Sequence, residues 1–388
     1  MLPPEYRGRE QTFVKHFILS NYLQELAIKV LQSGFYDHIT YVDGFSGPWK
    51  AEDEEFHDTS FRRAIKVLKD VQFLVRKNGF SGNIRCVFIE KNRSAYLLLE
   101  AAVAAFHKPS DGFEIVTIHG EFDNNVPRLL ELSHGGFLLT FIDPTGWTGY
   151  EYRKTKPILR RPRSEVLINF MYDHFNRFLN VDDPSLEEQR TDLLGIGWRE
   201  RVHDLVQAGD LRTRGEILTE LYRERLKSVG DFRYAVTTKI EKATMDRPHF
   251  FLAYGTRNST GLETYRGIEM KALRLQESVR RVAKDLKAED STKQLGLGLI
   301  DETETVSDRL VDDEMENAKT AIVNNLSKFE SSPYELLKNA VMERFILSRP
   351  LVNKIVAELA DQGIIRATWK DRNPRAKVPG SSDQIQSA

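Results

Sequence analysis

The chain has 388 residues, of which 40% are hydrophobic and 29% are charged, a composition typical of a globular protein with two or three domains. Its formal net charge is −1, so the chain as a whole lacks the positive charge typical of nucleic-acid-binding proteins. Any contact with DNA or RNA requires a local basic patch. The single cysteine, Cys86, lies inside an apolar run, which excludes a disulfide framework and a cysteine-based metal site. No apolar run approaches the roughly 20 residues that span a bilayer, and we expect a cytoplasmic protein without membrane contact and without a metal.

The first two thirds of the chain alternate between helical and strand-like patterns. Residues 10–33 place apolar side chains three and four positions apart, which predicts an amphipathic helix closed by Gly34. Two later apolar runs, 232–240 and 249–256, predict an antiparallel hairpin at the edge of a sheet. The remaining predicted strands lie within 39–47, 84–92, 113–123, 137–147 and 165–170, with helices at 58–77 and 93–106 among them. This alternation predicts an α/β fold built on a doubly wound, Rossmann-like sheet.

The rest of the chain is predicted to add helices and a second domain. Charged helical sequence over 172–230 predicts a helical insertion within a first domain of residues 1–289. The acidic, glycine-containing residues 290–312 predict a linker. A winged helix-turn-helix is predicted over 313–380, and residues 381–388 are predicted to be a disordered tail. The predicted elements of the winged helix are helices at 315–329, 332–345 and 348–363 and strands at 364–371 and 376–380.

The predicted winged helix is basic. From Arg349 to Gly380, seven Lys and Arg residues outnumber three acids, a net charge of +4. Winged helices insert their third helix into the major groove and contact phosphates with the wing. The predicted nucleic-acid-binding residues are therefore Arg349, Asn353, Lys354, Lys370, Arg372 and Arg375. A module that binds protein is the alternative.

Four acidic residues stand where four predicted strands end: Asp43, Glu90, Glu121 and Asp143. Ligands of an open α/β sheet bind outside the carboxyl ends of its strands, so these carboxylates predict a ligand with hydroxyl and amine hydrogens, such as a nucleoside. The first loop, VDGFSGPW, lacks the three-glycine dinucleotide fingerprint. Its residues Gly44, Phe45 and Gly47 instead predict close approach to a compact group, such as the amino-acid part of S-adenosylmethionine.

Each of the first three acids also has a structural interpretation. Asp43 either takes the ammonium group of S-adenosylmethionine, directly or through water, or caps a tight turn. Glu90 either holds the ribose diol, as acids at the end of the second strand do, or caps the following helix. Glu121 either accepts from the adenine amine or begins the helix near Asn124. Their shared position at strand ends favours the binding interpretation.

The segment IDPTGW carries the predicted chemistry. Proline fixes the backbone after Asp143, so the Asp143 carboxylate and the Pro144 carbonyl can both accept hydrogen bonds from one exocyclic amine. Two such acceptors direct the nitrogen lone pair toward a methyl donor. Trp147 is predicted to stack on a flat base, and a core tryptophan is the alternative. The predicted catalytic residues are Asp143, Pro144 and Trp147.

Seven segments, in order, resemble the three-Cys-motif partner (TcmP) family and its associated winged-helix domain: YVDGFSGPW, FIEKN, FIDPTGW, INFMYDHFNRF, LLGIGWRERV, LTELYRERLK and FFLAYGTRNSTGLETYRGIEM. The resemblance implies a fold of the S-adenosylmethionine methyltransferase type. It also implies a partner, a three-Cys-motif protein that looks like a radical S-adenosylmethionine enzyme. By resemblance, the first cofactor loop contains Asp43, Gly44 and Gly47, the ribose acid is Glu90, and the catalytic loop contains Asp143, Pro144 and Gly146; Lys15, Tyr22, Asn169, Asn176 and Arg177 match other family positions.

Two functions follow from these observations. The first is an S-adenosylmethionine-dependent methyltransferase that acts on an exocyclic amine of a nucleobase in DNA or RNA, together with a partner enzyme, and relies on proximity rather than a covalent nucleophile. Because Cys86 lies within a strand, carbon-5 methylation of pyrimidines is disfavoured. The second is an S-adenosylmethionine-binding, DNA-binding regulatory or partner protein without methyltransferase activity.

Overall fold

The computed structural model describes residues 2–47, 56, 58–179, 181–207, 212–292, 305–329 and 331–387. The chain divides into two compact units, Met1–Arg257 and Asn258–Ala388. The predicted end of the first domain at residue 289 is therefore wrong. The long helix before that point belongs to the second unit, because Glu263 binds Lys338 and Arg266 Nε donates to the carbonyl of Met342 at 2.6 Å.

The first unit is built on a seven-stranded sheet. Its strands are β1 (Ile39–Asp43), β2 (Ile84–Glu90), β3 (Phe113–His119), β4 (Phe137–Ile142), β5 (Ser164–Phe170), β6 (Tyr234–Glu241) and β7 (Pro248–Thr256). They are ordered β3-β2-β1-β4-β5-β7-β6. Strands β1 to β5 are parallel, and β7 pairs antiparallel with both β5 and β6. The predicted doubly wound sheet with an antiparallel hairpin at its edge is confirmed.

Helices cover both faces of this sheet. Those described are α1 (Glu10–Gln32), α2 (Ser60–Lys77), α3 (Arg93–Ala104), α4 (Val126–Leu132), α5 (Tyr152–Leu159), α6 (Tyr172–Arg177), α7 (Pro184–Leu194), α8 (Trp198–Gln207) and α9 (Arg214–Gly230). Helices α6 to α9 lie within the segment 172–230, for which an insertion was predicted. Local signals set the helix ends. Gly34 follows the end of α1 with a φ of 72°, a left-handed conformation that favours glycine. Thr213 and Glu216 form a capping box at the start of α9.

Burial on both faces explains why the parallel strands have continuous apolar sequences. Val42, Val87 and Leu138 are fully buried in β1, β2 and β4. The same hydrophobic cluster continues into the insertion, where the rings of Phe170 and Tyr222 stack with their centroids 4.2 Å apart. Sheet and insertion thus share one core, which holds the carboxyl ends of the strands in fixed positions.

The second unit combines helices with a small antiparallel sheet. Its elements are α10 (Ser259–Thr292), α11 (Val306–Phe329), β8 (Ser331–Pro333), α12 (Tyr334–Arg344), α13 (Arg349–Asp361), β9 (Ile365–Arg366), α14 (Thr368–Arg372) and β10 (Gln384–Ser387). The strands are ordered β8-β10-β9 and pair antiparallel. The three helices predicted after the linker are confirmed as α11 to α13, and α13 buries Val352, Ile355, Val356 and Leu359.

The predicted linker is helical at both of its ends. Residues 290–292 continue α10, and residues 306–312 begin α11, so a linker over 290–312 is wrong in these parts. The segment between them, 293–304, lies outside the described residues. The acidic composition suggested a linker, yet Ser307 is buried at the start of α11, where its backbone N and its hydroxyl both donate to the Glu277 carboxylate of α10.

The predicted hairpin strands are also wrong. In the segment 364–371 only β9 is extended, because Trp369, which is 1% exposed, packs from the short helix α14. The segment 376–380 contains no strand. The final strand, β10, lies instead within the predicted disordered tail, where Ile385 is fully buried. In the described part of the chain, no helix is long and apolar enough to cross a membrane.

Candidate active site

The loop after β1 crosses the carboxyl edge of the sheet where the strand order reverses. Strand β1 lies between β2 and β4, and such a reversal is where open α/β sheets bind ligands. Gly44 N donates to the carbonyl of Phe141 in β4 at 2.9 Å, and Ser46 N donates to the carbonyl of Ile89 in β2 at 2.8 Å. The loop predicted to hold the cofactor is therefore fixed to both neighbouring strands.

Asp43 stabilises this loop from within the protein. Its Oδ1 accepts from Phe45 N at 3.1 Å, its Oδ2 accepts from Ser60 Oγ at 2.6 Å, and the residue is fully buried. The prediction of direct contact between Asp43 and an ammonium group is wrong in this structure, because the residue is fully buried, and contact through water stays a prediction. The alternative, an aspartate that caps the turn, agrees with these contacts.

Burial raises the pKa of Asp43 from 3.8 to about 6, with a smaller contribution from the charge of Asp143. The folded protein therefore holds this proton more tightly than the unfolded chain, and its stabilising contribution is complete below pH 3.8 and lost as the pH rises through about 6. A shift of about two units corresponds to about 3 kcal/mol.

We expect wild type to gain about that free energy of unfolding relative to Asp43→Asn when the pH falls from about 7 to 4. Urea unfolding of both proteins across this range measures the difference. The other titrating groups are common to both proteins. If the free energies of unfolding of the two proteins changed with pH in parallel, the raised pKa of Asp43 would be contradicted.

Gly44 allows a close approach between two loops. A Cβ on Gly44 would lie 2.8 Å from Cδ2 of Phe122, a separation too short for real side chains. The ring of Phe45 lies 6.1 Å from that of Phe122. Gly47 is the last described residue of this loop. Gly44 therefore lacks a side chain at a point where the loop after β1 packs against the loop after β3. The glycine lets the ends of β1 and β3 come close together.

Glu90 and Glu121 follow the next two strands. Glu90 is 3% exposed, and its Oε1 accepts from Asn92 N at 2.5 Å. Asn92 caps α3, since its side chain accepts from Ala95 N, so the interpretation of Glu90 as the helix cap is wrong. Glu121 is exposed and accepts from Asn124 Nδ2 at 2.9 Å. Both acids lie at the predicted carboxyl edge of the sheet, where Glu90 is buried and Glu121 is exposed.

Asp143 is held by one cation and one amide. Lys15 Nζ of α1 donates to its Oδ2 at 2.5 Å, and Asn169 Nδ2 of β5 donates to its Oδ1 at 2.6 Å. The Asp143 side chain is 15% exposed and that of Lys15 is 10% exposed. Because each oxygen has a donor, the carboxylate has a fixed orientation at the end of β4.

Three buried polar atoms near this pair have no hydrogen-bond partner among the residues described: Asn169 Oδ1, His174 Nδ1 and His249 Nδ1. The His174 Nδ1 lies 3.8 Å from where a Cβ on Gly146 would stand, beside the loop after Asp143. Burial lowers the pKa of His249, and the positive charges of Lys242 and Lys15 lower it further. Unpaired buried polar atoms cost free energy, and their concentration here indicates a place for a polar ligand.

The prediction that Trp147 stacks on a base is wrong. Trp147 is 5% exposed, and its ring meets Phe175 edge to face with centroids 5.1 Å apart. Both side chains belong to the main hydrophobic cluster, so the core interpretation holds. Pro144 is buried next to Asp143, as its predicted role in fixing the backbone requires.

Residue patterns alone gave no role to Lys15, Asn169 or the two histidines. One signal was available for Lys15: it occupies a core-facing position of α1, between the buried Val14 and Ile18, and is 8% exposed. A charged residue on an apolar helix face is costly unless it is paired. Asn169 gives a similar signal in the otherwise apolar β5, where it is 2% exposed. Within the described ranges, no three His, Cys, Asp or Glu side chains are placed to hold a metal ion.

Most of the predicted nucleic-acid-binding cations are paired inside the second unit. The pairs are Arg349–Glu263 at 3.4 Å, Lys354–Glu358 at 3.8 Å, Lys370–Asp361 at 3.6 Å and Arg372–Asp383 at 2.9 Å. Exposed ion pairs contribute little free energy, so these cations can exchange partners. Arg375 is exposed. Asn353 was predicted to face outward, which is wrong, because it is half-buried and its Oδ1 accepts from the Tyr334 hydroxyl.

Comparison with known proteins finds solved structures of weak similarity. No family model matches the chain, and no curated protein matches it. Protein LPL1258 from Legionella pneumophila, described with the family model DUF519, is 11% identical, with a TM-score of 0.40 over 70% of this chain and 94% of that one. A loganic acid methyltransferase solved with SAH is 8% identical, with a TM-score of 0.29 over 75% of this chain and 92% of that one. These scores are low, so the fold is described by its own sheet, a mixed α/β fold on seven mostly parallel strands.

Proposed function

We propose that this protein is an S-adenosylmethionine-dependent methyltransferase that acts on an exocyclic amine of a nucleobase in DNA or RNA. The observation that carries the proposal is the fixed carboxylate of Asp143 at the end of β4. It lies next to the reversal in strand order and close to the unpartnered polar atoms of Asn169 and His174. The resemblance to the TcmP family implies a fold of the S-adenosylmethionine methyltransferase type.

The carboxyl edge of the sheet fits S-adenosylmethionine. Glu90, at the end of β2, supplies a carboxylate for the ribose diol, and Glu121, after β3, supplies an acceptor for the adenine amine. The loop from Gly44 to Gly47 passes over the reversal in strand order, and Asp43 holds that loop instead of contacting the ligand. When bound, the cofactor supplies an electrophilic methyl group.

The proposed chemistry depends on two acceptors after β4. The Asp143 carboxylate and the Pro144 carbonyl accept hydrogens from the substrate amine, which leaves the nitrogen lone pair directed toward the methyl group. With S-adenosylmethionine bound, the nitrogen–carbon bond would form as the sulfur–carbon bond of the donor breaks, and the Asp143 carboxylate would take the proton that the nitrogen loses. Lys15 acts as a positioning residue, because its ammonium group holds the Asp143 carboxylate in one orientation. The proposed rate enhancement comes from the orientation and proximity of the reacting groups.

The second unit supports a nucleic acid as the substrate. Helices α11, α12 and α13 with the sheet β8-β10-β9 agree with a winged helix in which α14 replaces most of one wing strand. Lys354 on α13 and Lys370 on α14 are exposed. In this interpretation α13 enters the major groove and the cations after it contact phosphates.

Neutralising two cations of this module tests its role. We expect Lys370→Gln combined with Arg375→Gln to weaken binding about equally across sequences and to reduce the salt slope on duplex DNA by about two, at roughly 0.9 per phosphate contact. The matched control is Lys271→Gln with Lys287→Gln, two exposed cations of α10. An unchanged slope in the first variant would assign the module to protein binding.

A second candidate is an S-adenosylmethionine-binding, DNA-binding regulatory or partner protein. Two observations favour it: Lys15 already pairs with the Asp143 carboxylate, and Trp147 is not available to stack on a base. A three-Cys-motif protein would then carry out the chemistry. This partner remains a proposal from the resemblance.

Methyl transfer from labelled S-adenosylmethionine to mixed DNA and RNA distinguishes the two candidates. The purified chain is incubated with each nucleic acid, and the products are digested to nucleosides for mass spectrometry. A methyltransferase yields one methylated nucleoside with the label on an exocyclic nitrogen. Tight cofactor binding without label on any nucleic acid would favour the regulatory candidate.

A further inference from the structure

A basic and aromatic groove runs along the outer face of α2 in the first unit. One part of it, about 510 Å³ in volume, is lined by Arg62, Lys66, Lys69 and Phe106, with Glu5 and Asp70 also on its walls. A second part of about 320 Å³ shares Lys69 and adds Phe73, Arg76, Lys108 and Phe113. We call this surface the α2 groove. Its cations outnumber its acids.

The spacing of the cations aligns them on one side of the helix. Arg62, Lys66 and Lys69 are separated by four and then three residues, which places them on one helix face, over about 10 Å at 1.5 Å per residue. The opposite face of α2 is buried through Phe61, Ile65, Leu68 and Val75. The cationic face is therefore held in place by the core of the first unit.

Aromatic rings, and not carboxylates, lie under these cations. The Arg62 guanidinium lies 4.3 Å from the centroid of Phe106, and Lys69 Nζ lies 5.0 Å from Phe106 and 5.3 Å from Phe113. Burial lowers the pKa of Lys69, followed by repulsion from the charges of Lys108 and Arg62, while the charge of Asp111 opposes this shift. A polyanion laid in the groove would relieve this repulsion.

Phe73 adds an exposed apolar surface to the same groove. Its side chain is 75% exposed, which is unusual for a phenylalanine. A track of cations beside an exposed aromatic ring is the arrangement that binds single-stranded nucleic acid: the cations follow the backbone and the ring stacks on a base. Duplex DNA offers no unstacked base to such a ring.

We propose that the α2 groove binds the phosphate backbone of single-stranded nucleic acid, with Phe73 stacking on a base. The inference rests on the proposed function and deepens it, because it places a single-stranded region of the substrate on the first unit. Binding at this surface would leave the target base unpaired, as chemistry on an exocyclic amine requires.

Salt-dependent binding of labelled 20-nucleotide oligo-dT and oligo-U by the full chain tests the proposal. We expect Arg62→Gln, Lys66→Gln and Lys69→Gln together to reduce the salt slope by about two, at roughly 0.7 per contact on single strands. Phe73→Ala should weaken binding roughly 5- to 150-fold with the slope unchanged, as expected for one lost stacking contact. The control is Arg128→Gln, Lys156→Gln and Arg233→Gln, three exposed cations elsewhere in the unit, which should behave as wild type.

The outcomes separate this inference from the proposed function. If wild type binds and methylates nucleic acid and the α2 variants keep its slope and affinity, the groove assignment is overturned while the function stands. If wild type binds no oligonucleotide and methylates none, both are overturned. If the α2 variants lose binding to anionic vesicles and not to oligonucleotides, the groove is a membrane-contact surface and the inference is wrong. Calorimetry with S-adenosylmethionine should give equal affinity in all variants, which shows that they are folded.

Discussion

Asp143→Asn is expected to lower the turnover of methyl transfer about 100-fold or more, as does removal of one hydrogen-bond partner from a transition state. Asparagine has the size of aspartate but carries a donor on one branch. Because Lys15 and Asn169 both donate to Asp143, this donor would face another donor and the group would lose its fixed orientation. Affinity for S-adenosylmethionine should be unchanged. Initial rates at saturating cofactor and calorimetry measure the two quantities separately.

Asp192→Asn is the matched control for this experiment. The Asp192 carboxylate accepts from the backbone of Tyr152 at 2.5 Å and of Arg153 at 3.2 Å, so it is also a fixed, partly buried aspartate with two donors. Its substitution should lower stability without changing turnover. Turnover within a few-fold of wild type in Asp143→Asn would exclude the proposed acceptor. Loss of cofactor affinity in that variant would instead move Asp143 to the cofactor site.

The sheet could be predicted because burial on both faces leaves a clear pattern in sequence. Strands β1, β2 and β4 are short apolar runs that end at a polar or glycine-containing turn, and these strands and β5 begin within one residue of their predicted segments. Parallel pairing then brings Asp43, Glu90 and Asp143 to one edge, without any further information. The edge that binds ligands follows from topology.

The directions of the Asp43 and Trp147 side chains could not be predicted. Asp43 is the last residue of β1, a strand buried on both faces that shows no alternation, and Trp147 lies in irregular backbone, where no period relates sequence to burial; both side chains point into the protein. The Lys15–Asp143 contact joins positions 128 residues apart, so only the folded chain shows it. In the last strand, Ile385 is the single apolar residue of QIQS, too little alternation to indicate a strand.

Glu90→Ala is expected to weaken S-adenosylmethionine binding by about 1–3 kcal/mol, the cost of leaving buried hydrogen-bonding groups unpaired. At about 1.4 kcal/mol per tenfold change, this is roughly a 5- to 150-fold rise in the dissociation constant. The position favours such a role, because Glu90 ends a fully parallel strand beside β1 and is 3% exposed. Calorimetry on wild type and variant measures the effect.

Glu90 also accepts from Asn92 N, so part of the effect of an alanine could come from a disordered start of α3. Glu90→Gln separates the two roles, since its carbonyl can still accept from Asn92 N while the negative charge and one acceptor for the ribose diol are lost. The glutamine variant should keep the melting temperature of wild type and still bind S-adenosylmethionine more weakly. Glu114→Gln on β3, where the carboxylate pairs with Arg85 at 2.7 Å, is the control and should bind as wild type does. Equal affinity in wild type, Glu90→Gln and Glu90→Ala would show that the ribose acid has been assigned to the wrong residue.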